Sequence, residues 1–202
     1  NLFETVSYSS EDSKRTKQYQ IESKRVEFME NFTDENEFLK KLEMVSKVEP
    51  FNKFNTPRVA QLTQRSNQFN LRTKRYTEDD IEKISNSSEH FSFTFTLEDK
   101  FGDNGLICVI ILKKVDNKSL FIDTWLMSCR VLKRGMENFV LNTLANKTND
   151  LGYQFLRGEY IPTQKNGMVK DHYKNLGFQL NGEFWLLDVT KYKNKECYIQ
   201  SN

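Results

Sequence analysis

The segment Ser128–Leu144, SCRVLKRGMENFVLNTL, has a residue pattern that could bind a phosphate group. An apolar run, SLFIDTWLM, leads into a turn that carries Arg130, Lys133, Arg134 and Gly135, and a helical pattern starts directly afterwards. The first N–H groups of a helix have no partner within it, and the helix dipole favours an anion there. The cations would add charge, and glycine would let the backbone approach a ligand closely. The alternative is a structural glycine turn with solvated basic residues.

Other side chains with reactive or ionisable groups have simpler interpretations. Cys129 could accept an acyl group transiently, but no base is spaced to activate it, so a packing role is favoured. Asp123 interrupts an apolar strand and, if buried, needs a partner in an active site or in a structural pair. His172 is interpreted as a surface residue, and His90 opens a strand without a visible partner. The basic segment RTKRY (72–76) could contact RNA, but a solvated face is favoured.

Composition limits the class of protein. The 202 residues allow one core of ordinary size and a smaller appendage. Hydrophobic residues make up 37% and charged residues 29%, as in a globular protein, and the formal net charge of +2 is too small for a general nucleic-acid binder. The three cysteines lack metal-ligand spacing, so no metal site is predicted and a reducing compartment is favoured. Without a membrane-length apolar run or a signal peptide in the first residues, we expect a cytoplasmic protein.

Charge and apolar patterning predict helices in the first part of the chain. The first fifty residues are predicted to be helical, with Thr33 capping a second helix whose apolar stripe reaches Val45. A third helix is predicted to start at Thr56, the candidate cap, with Pro57 in its first turn. These helices have little apolar surface, so they must pack against another part of the protein.

From about residue 70 the pattern predicts a sheet. NLRTKRY is a candidate strand, and TEDDIEKI is a helix that Thr77 caps together with Asp80 in a variant of the capping box. HFSFTFTL alternates as in a half-buried strand, Asn104-Gly105 indicates a hairpin turn, and LICVIIL and SLFIDTWLM follow as strands. YQFLRGEYIP is strand-like, NGMVKDHYKNLGF is a helix that ends at Gly177, and EFWLLDV is the last strand. The order is β-α-β-β-β-α-β-α-β, which predicts a mixed α/β sheet.

With this order, the RVLKRG turn and the later NGMVKDHYKNLGF segment, the sequence resembles the GNAT family of acyl-CoA-dependent acyltransferases. The family's phosphate signature has Arg or Gln, two residues, Gly, one residue, then Gly or Ala. Arg130 matches its first position and Gly135 its last, whereas Lys133 puts a side chain in place of the middle glycine. The resemblance implies an α/β (α+β) fold in which a mixed, mostly antiparallel sheet is flanked by helices and follows an N-terminal helical segment. It also implies coenzyme A or the phosphopantetheine of an acyl carrier protein as the cofactor, with these contact residues: Leu126, Ser128, Arg130, Lys133, Arg134, Gly135, Met136 and Asn166.

The same resemblance implies a catalytic tyrosine. Asn166, Tyr173, Gly177 and Phe178 match the family's second signature, in which the tyrosine protonates the leaving CoA thiolate. A phenol with a pKa of about 10 is a plausible proton donor to a thiolate whose conjugate acid has a pKa near 8.5. The alternative for Tyr173 is a packing aromatic. Glu159 could be the general base for an acceptor, or a surface or ion-paired residue.

A narrower resemblance covers nearly the whole chain. The segments LTQRSNQFNLRTKRY, DKFGDNG, DTWLMSCRVLKRG and GEYIPTQKN are similar to the carboxyl-terminal part of the FkbH-like family, which joins a haloacid-dehalogenase-type domain to a GNAT-like domain. It implies a helical tail of that first domain in residues 1–50, a linker helix in 51–69, the acyltransferase domain in 70–192 and a tail in 193–202. The family type loads a glyceryl unit onto an acyl carrier protein for methoxymalonyl-type biosynthesis.

The resemblance also implies partners. They are an acyl carrier protein and the preceding haloacid-dehalogenase-like domain, with neither nucleic acid nor membrane involved. Lys133 is hypothesised to suit the single phosphate of a carrier-borne arm, and the basic turn to complement the acidic surface of the carrier protein. The alternative is a non-catalytic module that docks the carrier protein for the missing domain.

Overall fold

The computed structural model describes residues 10–202, with side chains from residue 16 onward. The first nine residues, where no signal peptide was predicted, lie outside the described residues. The helices are α1 Ser10–Met29, α2 Glu35–Lys41, α3 Thr56–Arg65, α4 Glu78–Ser85, α5 Met136–Asp150 and α6 His172–Asn175. The strands are β1 Met44–Ser46, β2 Val48–Glu49, β3 His90–Asp99, β4 Gly102–Lys114, β5 Ser119–Met127, β6 Phe155–Gly158, β7 Gln179–Asn181, β8 Phe184–Asp188 and β9 Ile199–Ser201. None of the helices in this range has the length and apolar composition needed to cross a membrane.

All nine strands form one sheet in the order β7-β8-β6-β5-β4-β3-β1-β9, and β2 pairs with β3. Neighbouring strands are antiparallel except for the parallel pairs β5–β6 and β1–β9. On one face, α3 and α4 pack their buried Val59, Leu62 and Ile81 against the sheet. The other face is covered by α2, α5 and α6 around the larger core. The predicted mixed, mostly antiparallel sheet flanked by helices is confirmed.

Several elements follow directly from local sequence pattern. The predicted strand SLFIDTWLM coincides with β5, and Phe95 and Leu97 of the alternating β3 are fully buried. Helix α4 begins at the predicted capping box, in which Asp80 accepts the Thr77 N–H at 2.9 Å and Thr77 Oγ1 accepts the Asp80 N–H at 3.2 Å. These predictions depend on contacts within a few residues, which is why the sequence alone contains them.

The first fifty residues are not wholly helical. Helix α2 ends at Lys41, and its cap is Asp34 rather than the predicted Thr33. Val45 lies in β1, which pairs antiparallel with β3. Residues 44–49 therefore belong to the sheet, because their β-branched residues fit a pleated surface better than a helix. The cap of α3 is likewise Asn55 rather than Thr56.

Three other local predictions differ from the structure. The β3–β4 turn lies at residues 100–101, since Asp99 pairs with Gly102, and Asn104-Gly105 lies inside β4. The candidate strand NLRTKRY contributes one isolated bridge, between Asn70 and Leu126. The last predicted helix is a short 3-10 turn at residues 167–169 followed by one turn of α6.

Candidate active site

Strands β5 and β6 separate halfway along β5. They pair in parallel over four residue pairs, the last of which is Ile122 with Gly158. At this point Asp123 is an extra residue in the pairing of β5 with β4. An extra residue bends a strand and increases its local twist. The remainder of β5, up to Met127, therefore turns away from β6 and presents its backbone edge to the gap.

A segment of the chain itself fills this gap. Residues Phe69–Leu71, which we call the strap, follow α3 and lie antiparallel along the edge of β5. The Leu71 N–H donates to the Trp125 carbonyl at 3.2 Å, and the Met127 N–H donates to the Phe69 carbonyl at 3.0 Å. All three strap side chains are buried. The hydrogen-bonding edge of β5 is thus occupied by the protein's own backbone.

The strap is also bonded on its far side. The Ile161 N–H donates to the Leu71 carbonyl at 2.9 Å, and the Asn166 side-chain amide donates to the Asn70 carbonyl at 3.0 Å. Asn166 is fully buried, and its Oδ1 accepts the Thr163 N–H at 2.7 Å. The predicted cofactor residue Asn166 therefore holds the strap and the loop after β6 together.

Two of the three cations in the basic segment after the strap are paired with carboxylates. Asp123 accepts Arg72 Nη1 at 2.9 Å, Lys74 Nζ at 2.7 Å and the Tyr76 hydroxyl, while Glu159 accepts Arg72 Nε at 2.8 Å. The interpretation of residues 72–76 as a solvated face is therefore wrong for Arg72 and Tyr76, which the bulged Asp123 holds at the sheet edge, whereas Lys74 and Arg75 are exposed. Asp123 has the partners that its position in an apolar strand requires. Glu159, the candidate general base, is ion-paired.

These contacts fix the protonation states at the edge. Burial raises the pKa of Asp123, but hydrogen bonds from Lys74 and Tyr76 and the charge of Arg72 outweigh burial and bring the pKa below its ordinary value. Burial, together with the hydrogen bond to Asp123, raises the pKa of Tyr76. At neutral pH the carboxylate is ionised and the phenol is protonated, so the cluster is a set of satisfied charge-assisted bonds.

Tyr173 lies where β5 and β6 separate. Its ring covers Gly158 so closely that a Cβ there would lie 2.3 Å from Tyr173 Cζ, which explains the glycine. The side chain is only 1% exposed, and its hydroxyl has no hydrogen-bond partner among the described residues. Burial raises the pKa of Tyr173, opposed weakly by Arg72 and by the backbone N–H of Glu159, which is near but not in hydrogen-bond geometry. The phenol is therefore a buried, protonated donor.

The basic turn lies at the other end of β5. Lys133 and Gly135 both have left-handed backbone conformations, with φ of 62° and 76°, and Met136 is fully buried as α5 begins. Arg130 and Lys133 are exposed, and Ser128 Oγ lies 3.3 Å from Arg130 Nε. The turn thus presents two cations to solvent immediately before a 15-residue helix.

Arg134 points away from the other two cations. It is 5% exposed, and it donates to Asp99 at 3.2 Å and to Glu22 at 3.3 Å. Burial, followed by the charge of Arg25, lowers the pKa of Arg134, and Glu22 and Asp99 oppose that shift. The Arg134 side chain therefore stabilises the turn against α1 and the β3–β4 hairpin, and its charge is already balanced.

Two predictions about exposure were wrong. His172 is only 8% exposed, although it was predicted to lie on the surface. The prediction assumed a longer helix, whereas α6 has a single turn, which is too short for helical periodicity to define a surface face. Burial lowers the pKa of His172 to about 3, so the imidazole is neutral. Cys129, for which packing was predicted, is exposed, and its Sγ lies 3.1 Å from Gln68 Oε1.

The structure brings the predicted residues together in two groups. Tyr173 and Glu159 flank the end of β6, whereas Ser128, Arg130, Lys133 and Gly135 form the turn. Leu126 lies between them on β5, with its side chain packed under α3 and α4. Sequence reasoning missed the strap, although the alternation of Phe69 and Leu71 around Asn70 was its one local signal.

Comparison with known proteins agrees with this architecture. No family model and no curated protein matches the sequence. Among solved structures, the ribosomal-protein-S18-alanine N-acetyltransferase from Escherichia coli is 12% identical, with a TM-score of 0.54 over 75% of this chain and 99% of that chain. The spermidine N-acetyltransferase from Vibrio cholerae, solved with CoA and spermine, is 12% identical, with a TM-score of 0.55 over 74% and 98%. The GNAT domain of PAT from S. lividans is 10% identical, with a TM-score of 0.52 over 70% and 89%.

At these identities the likeness shows the fold. The chain contains a GNAT-like domain, and the matched structures are covered over most of their length.

Proposed function

We propose that this protein is an acyltransferase that takes its acyl group from a phosphopantetheine thioester, on coenzyme A or on an acyl carrier protein. The observation that carries the proposal is the Tyr173 hydroxyl, which is buried, protonated and without a partner among the described residues. It lies at the separation of two parallel strands in a fold shared with N-acetyltransferases. One of those relatives was solved with CoA.

In the proposed reaction an acceptor attacks the thioester carbonyl carbon, the C–S bond breaks, and the thiolate leaves. Tyr173 donates its proton to that sulfur. Burial raises the pKa of a thiol as well as that of a phenol. A thiolate that leaves at this buried position is therefore a stronger base than in water, which offsets the raised pKa of the Tyr173 phenol. Glu159, freed from Arg72, would take the proton of the acceptor.

The thioester arm would bind along β5. A pantetheine arm is extended and contains amide groups, so it could bond to the Trp125 carbonyl and the Met127 N–H that now hold the strap. Its phosphate would lie at the turn, against the first N–H groups of α5 and the side chains of Arg130 and Lys133. Leu126, Ser128, Gly135 and Met136 would form the backbone wall between these ends, whereas Arg134 and Asn166 would hold the turn and the loop in place.

The carrier-protein form of the substrate is the finer part of the proposal. The exposed Arg130 and Lys133 offer charge to an acidic carrier, and Lys133 adds a side chain where a glycine would expose backbone to a pyrophosphate. The sequence resemblance to FkbH-like proteins adds a glyceryl or related hydroxyacyl group, a preceding haloacid-dehalogenase-like domain and a cytoplasmic location.

A second candidate function is a non-catalytic docking module for a carrier protein. The strap favours it, because the edge that a thioester arm would use is already hydrogen-bonded on both sides of Phe69–Leu71.

A calorimetric titration followed by a transfer assay separates the two functions. The protein is titrated with CoA, acetyl-CoA and a phosphopantetheinylated carrier protein, and transfer is then measured for wild type and Tyr173→Phe. An acyltransferase loses about 10²–10⁴-fold in rate on loss of its general acid while thioester binding is kept. Binding by the wild type without any transfer would identify a docking module. Tighter binding of free CoA than of the carrier protein would overturn the carrier-protein part of the proposal.

A further inference from the structure

Three buried polar atoms without hydrogen-bond partners cluster beside the strap. Among the described residues, Trp125 Nε1, His172 Nε2 and the Tyr173 hydroxyl all lack a partner. Their rings are neighbours, with centroid distances of 4.4 Å from Trp125 to His172, 5.7 Å from His172 to Tyr173 and 6.3 Å from Trp125 to Tyr173. Buried polar groups in native proteins are nearly all hydrogen-bonded, so each exception needs an explanation. Three exceptions in one place indicate a shared missing partner.

The strap covers this cluster with a hydrocarbon. The ring of Phe69 meets the ring of His172 edge to face, with 5.1 Å between centroids. A phenyl ring offers no hydrogen bond to an imidazole, an indole or a phenol, so the strap closes the site without satisfying it. By contrast, the cations that follow the strap in the chain, Arg72 and Lys74, are both paired with a carboxylate.

We propose that Trp125, His172 and Tyr173 form a recognition site for a neutral polar acyl group, uncovered when the strap leaves β5, with His172 as its specificity-determining residue. This inference rests on the proposed function, in which a thioester arm replaces the strap along the same strand. The acyl group at the end of such an arm would lie beside Tyr173, where the ring of Phe69 now shields the cluster.

The chemistry of the three side chains selects the ligand class. An indole donates a hydrogen bond, a phenol donates and accepts, and a neutral imidazole offers one donor and one acceptor nitrogen. A hydroxyl or carbonyl on the acyl group would satisfy these atoms. A plain alkyl chain would leave them unpaired, and a carboxylate would bring an unpaired charge into a buried site. A site built from unpaired polar groups rejects the analogue that lacks the matching group more strongly than an apolar pocket does.

The test uses two thioesters that differ by one hydroxyl. Lactoyl-phosphopantetheine and propionyl-phosphopantetheine, which keep the phosphate that the proposed function places at the turn, are each titrated calorimetrically into the 202-residue chain. The wild type is expected to bind the lactoyl thioester at least about tenfold more tightly. His172→Phe is expected to bind both equally, at about the wild-type affinity for the propionyl thioester. Equal affinities in the wild type, or a preference that survives in His172→Phe, would overturn the inference.

A measurement of thermal stability and a second variant distinguish loss of the acyl preference from a folding defect. His172→Phe replaces an unsatisfied buried imidazole by an apolar ring, so its thermal midpoint should be unchanged or higher than that of the wild type. Trp125→Phe removes the indole N–H and keeps an aromatic ring, and it should also reduce the lactoyl preference. Retention of the full preference in a folded Trp125→Phe protein would contradict the three-residue site.

The outcomes separate this inference from the proposed function. Binding and transfer of both thioesters without a preference would overturn the polar acyl site and still support the acyltransferase function. Failure of the wild type to bind either thioester would overturn both the polar acyl site and the proposed acyltransferase function.

Discussion

Two short basic segments of similar composition have opposite environments. The segment 72–75 carries Arg72, Lys74 and Arg75, and the segment 130–134 carries Arg130, Lys133 and Arg134. In the first, Arg72 and Lys74 are ion-paired with Asp123, and Arg75 bonds to the end of α3. In the second, Arg130 and Lys133 are exposed and have no ion pair among the described residues.

The difference comes from the neighbouring strand rather than from the cations. The bulge in β5 places Asp123 at the sheet edge beside the first segment, while no carboxylate is paired with the outer side chains of the second segment within residues 16–202. The two segments lie beside the two ends of the part of β5 that runs from Asp123 to Met127. One end is neutralised and closed by the strap, and the other remains a cationic surface available to an anion.

Loss of the carboxylate at the closed end should have the largest effect. Asp123→Asn leaves Arg72 and Lys74 without their shared partner, and breaking a largely buried pair costs about 3 kcal/mol. Urea denaturation would measure the loss in free energy of unfolding. The matched control is Asp116→Asn, because the pair of Asp116 with Arg157 is exposed and its loss should change stability little. Similar losses in both variants would contradict the difference between closed and open ends.

A methyl group added at Gly158 tests how closely the closed end is packed. Gly158→Ala would place a Cβ against the ring of Tyr173, and overpacking of this kind costs about 2 kcal/mol. Gly167→Ala is the control, since no atom lies within 4 Å of a Cβ there. We expect a lower thermal midpoint and loss of acyl transfer in the first variant and neither change in the second. Full activity in Gly158→Ala would show that Tyr173 is free to move.

Acid should destabilise the closed end through His172. Its pKa is about 3 in the folded protein and about 6.5 when unfolded, so the unfolded chain takes up a proton that the folded chain excludes. The stabilisation is complete above pH 6.5 and is lost as the pH falls, by about 2 kcal/mol between pH 7 and pH 5. Urea denaturation of wild type and His172→Phe at these two pH values measures the difference. Equal pH dependence in both proteins would place the titrating group elsewhere, His90 being the other histidine.

The smallest effect is expected at the open end. Lys133 has a left-handed backbone conformation that disfavours a side chain, so Lys133→Gly should change stability by no more than about 1 kcal/mol, in the stabilising direction. The same variant should weaken binding of a phosphopantetheinylated carrier protein relative to CoA, because it removes an exposed cation. Chemical denaturation and calorimetry check the two parts. Unchanged relative affinities would show that Lys133 is a tolerated substitution in the turn.

Sequence pattern predicted the elements whose cause is local. Strand β5, the capping box at Thr77 and the glycine turn before α5 depend on neighbours along the chain, and all three are present. The hairpin signal at Asn104-Gly105 was overridden, because β3 and β4 pair two residues earlier in the chain, at Gly102.

What could not be predicted depends on contacts distant in sequence. The strap has three residues and no partner near it in sequence, so hydrophobic periodicity could not predict its pairing with Trp125 and Met127. The pairing of Arg72 with Asp123 spans 51 residues. His172 lies in the one-turn helix α6 and is buried because its ring packs against Trp125 of β5, which is distant in sequence.

Hydrogen exchange of two backbone amides tests most directly whether a thioester arm replaces the strap. The Leu71 N–H belongs to the strap and donates to the Trp125 carbonyl of β5. The Met127 N–H belongs to β5 and donates to the Phe69 carbonyl of the strap. With saturating acyl-phosphopantetheine, the Leu71 amide should exchange at least about tenfold faster, while the Met127 amide stays protected by the ligand carbonyl. Unchanged protection of the Leu71 amide under saturating ligand would show that the strap stays in place and that the thioester does not bind along β5.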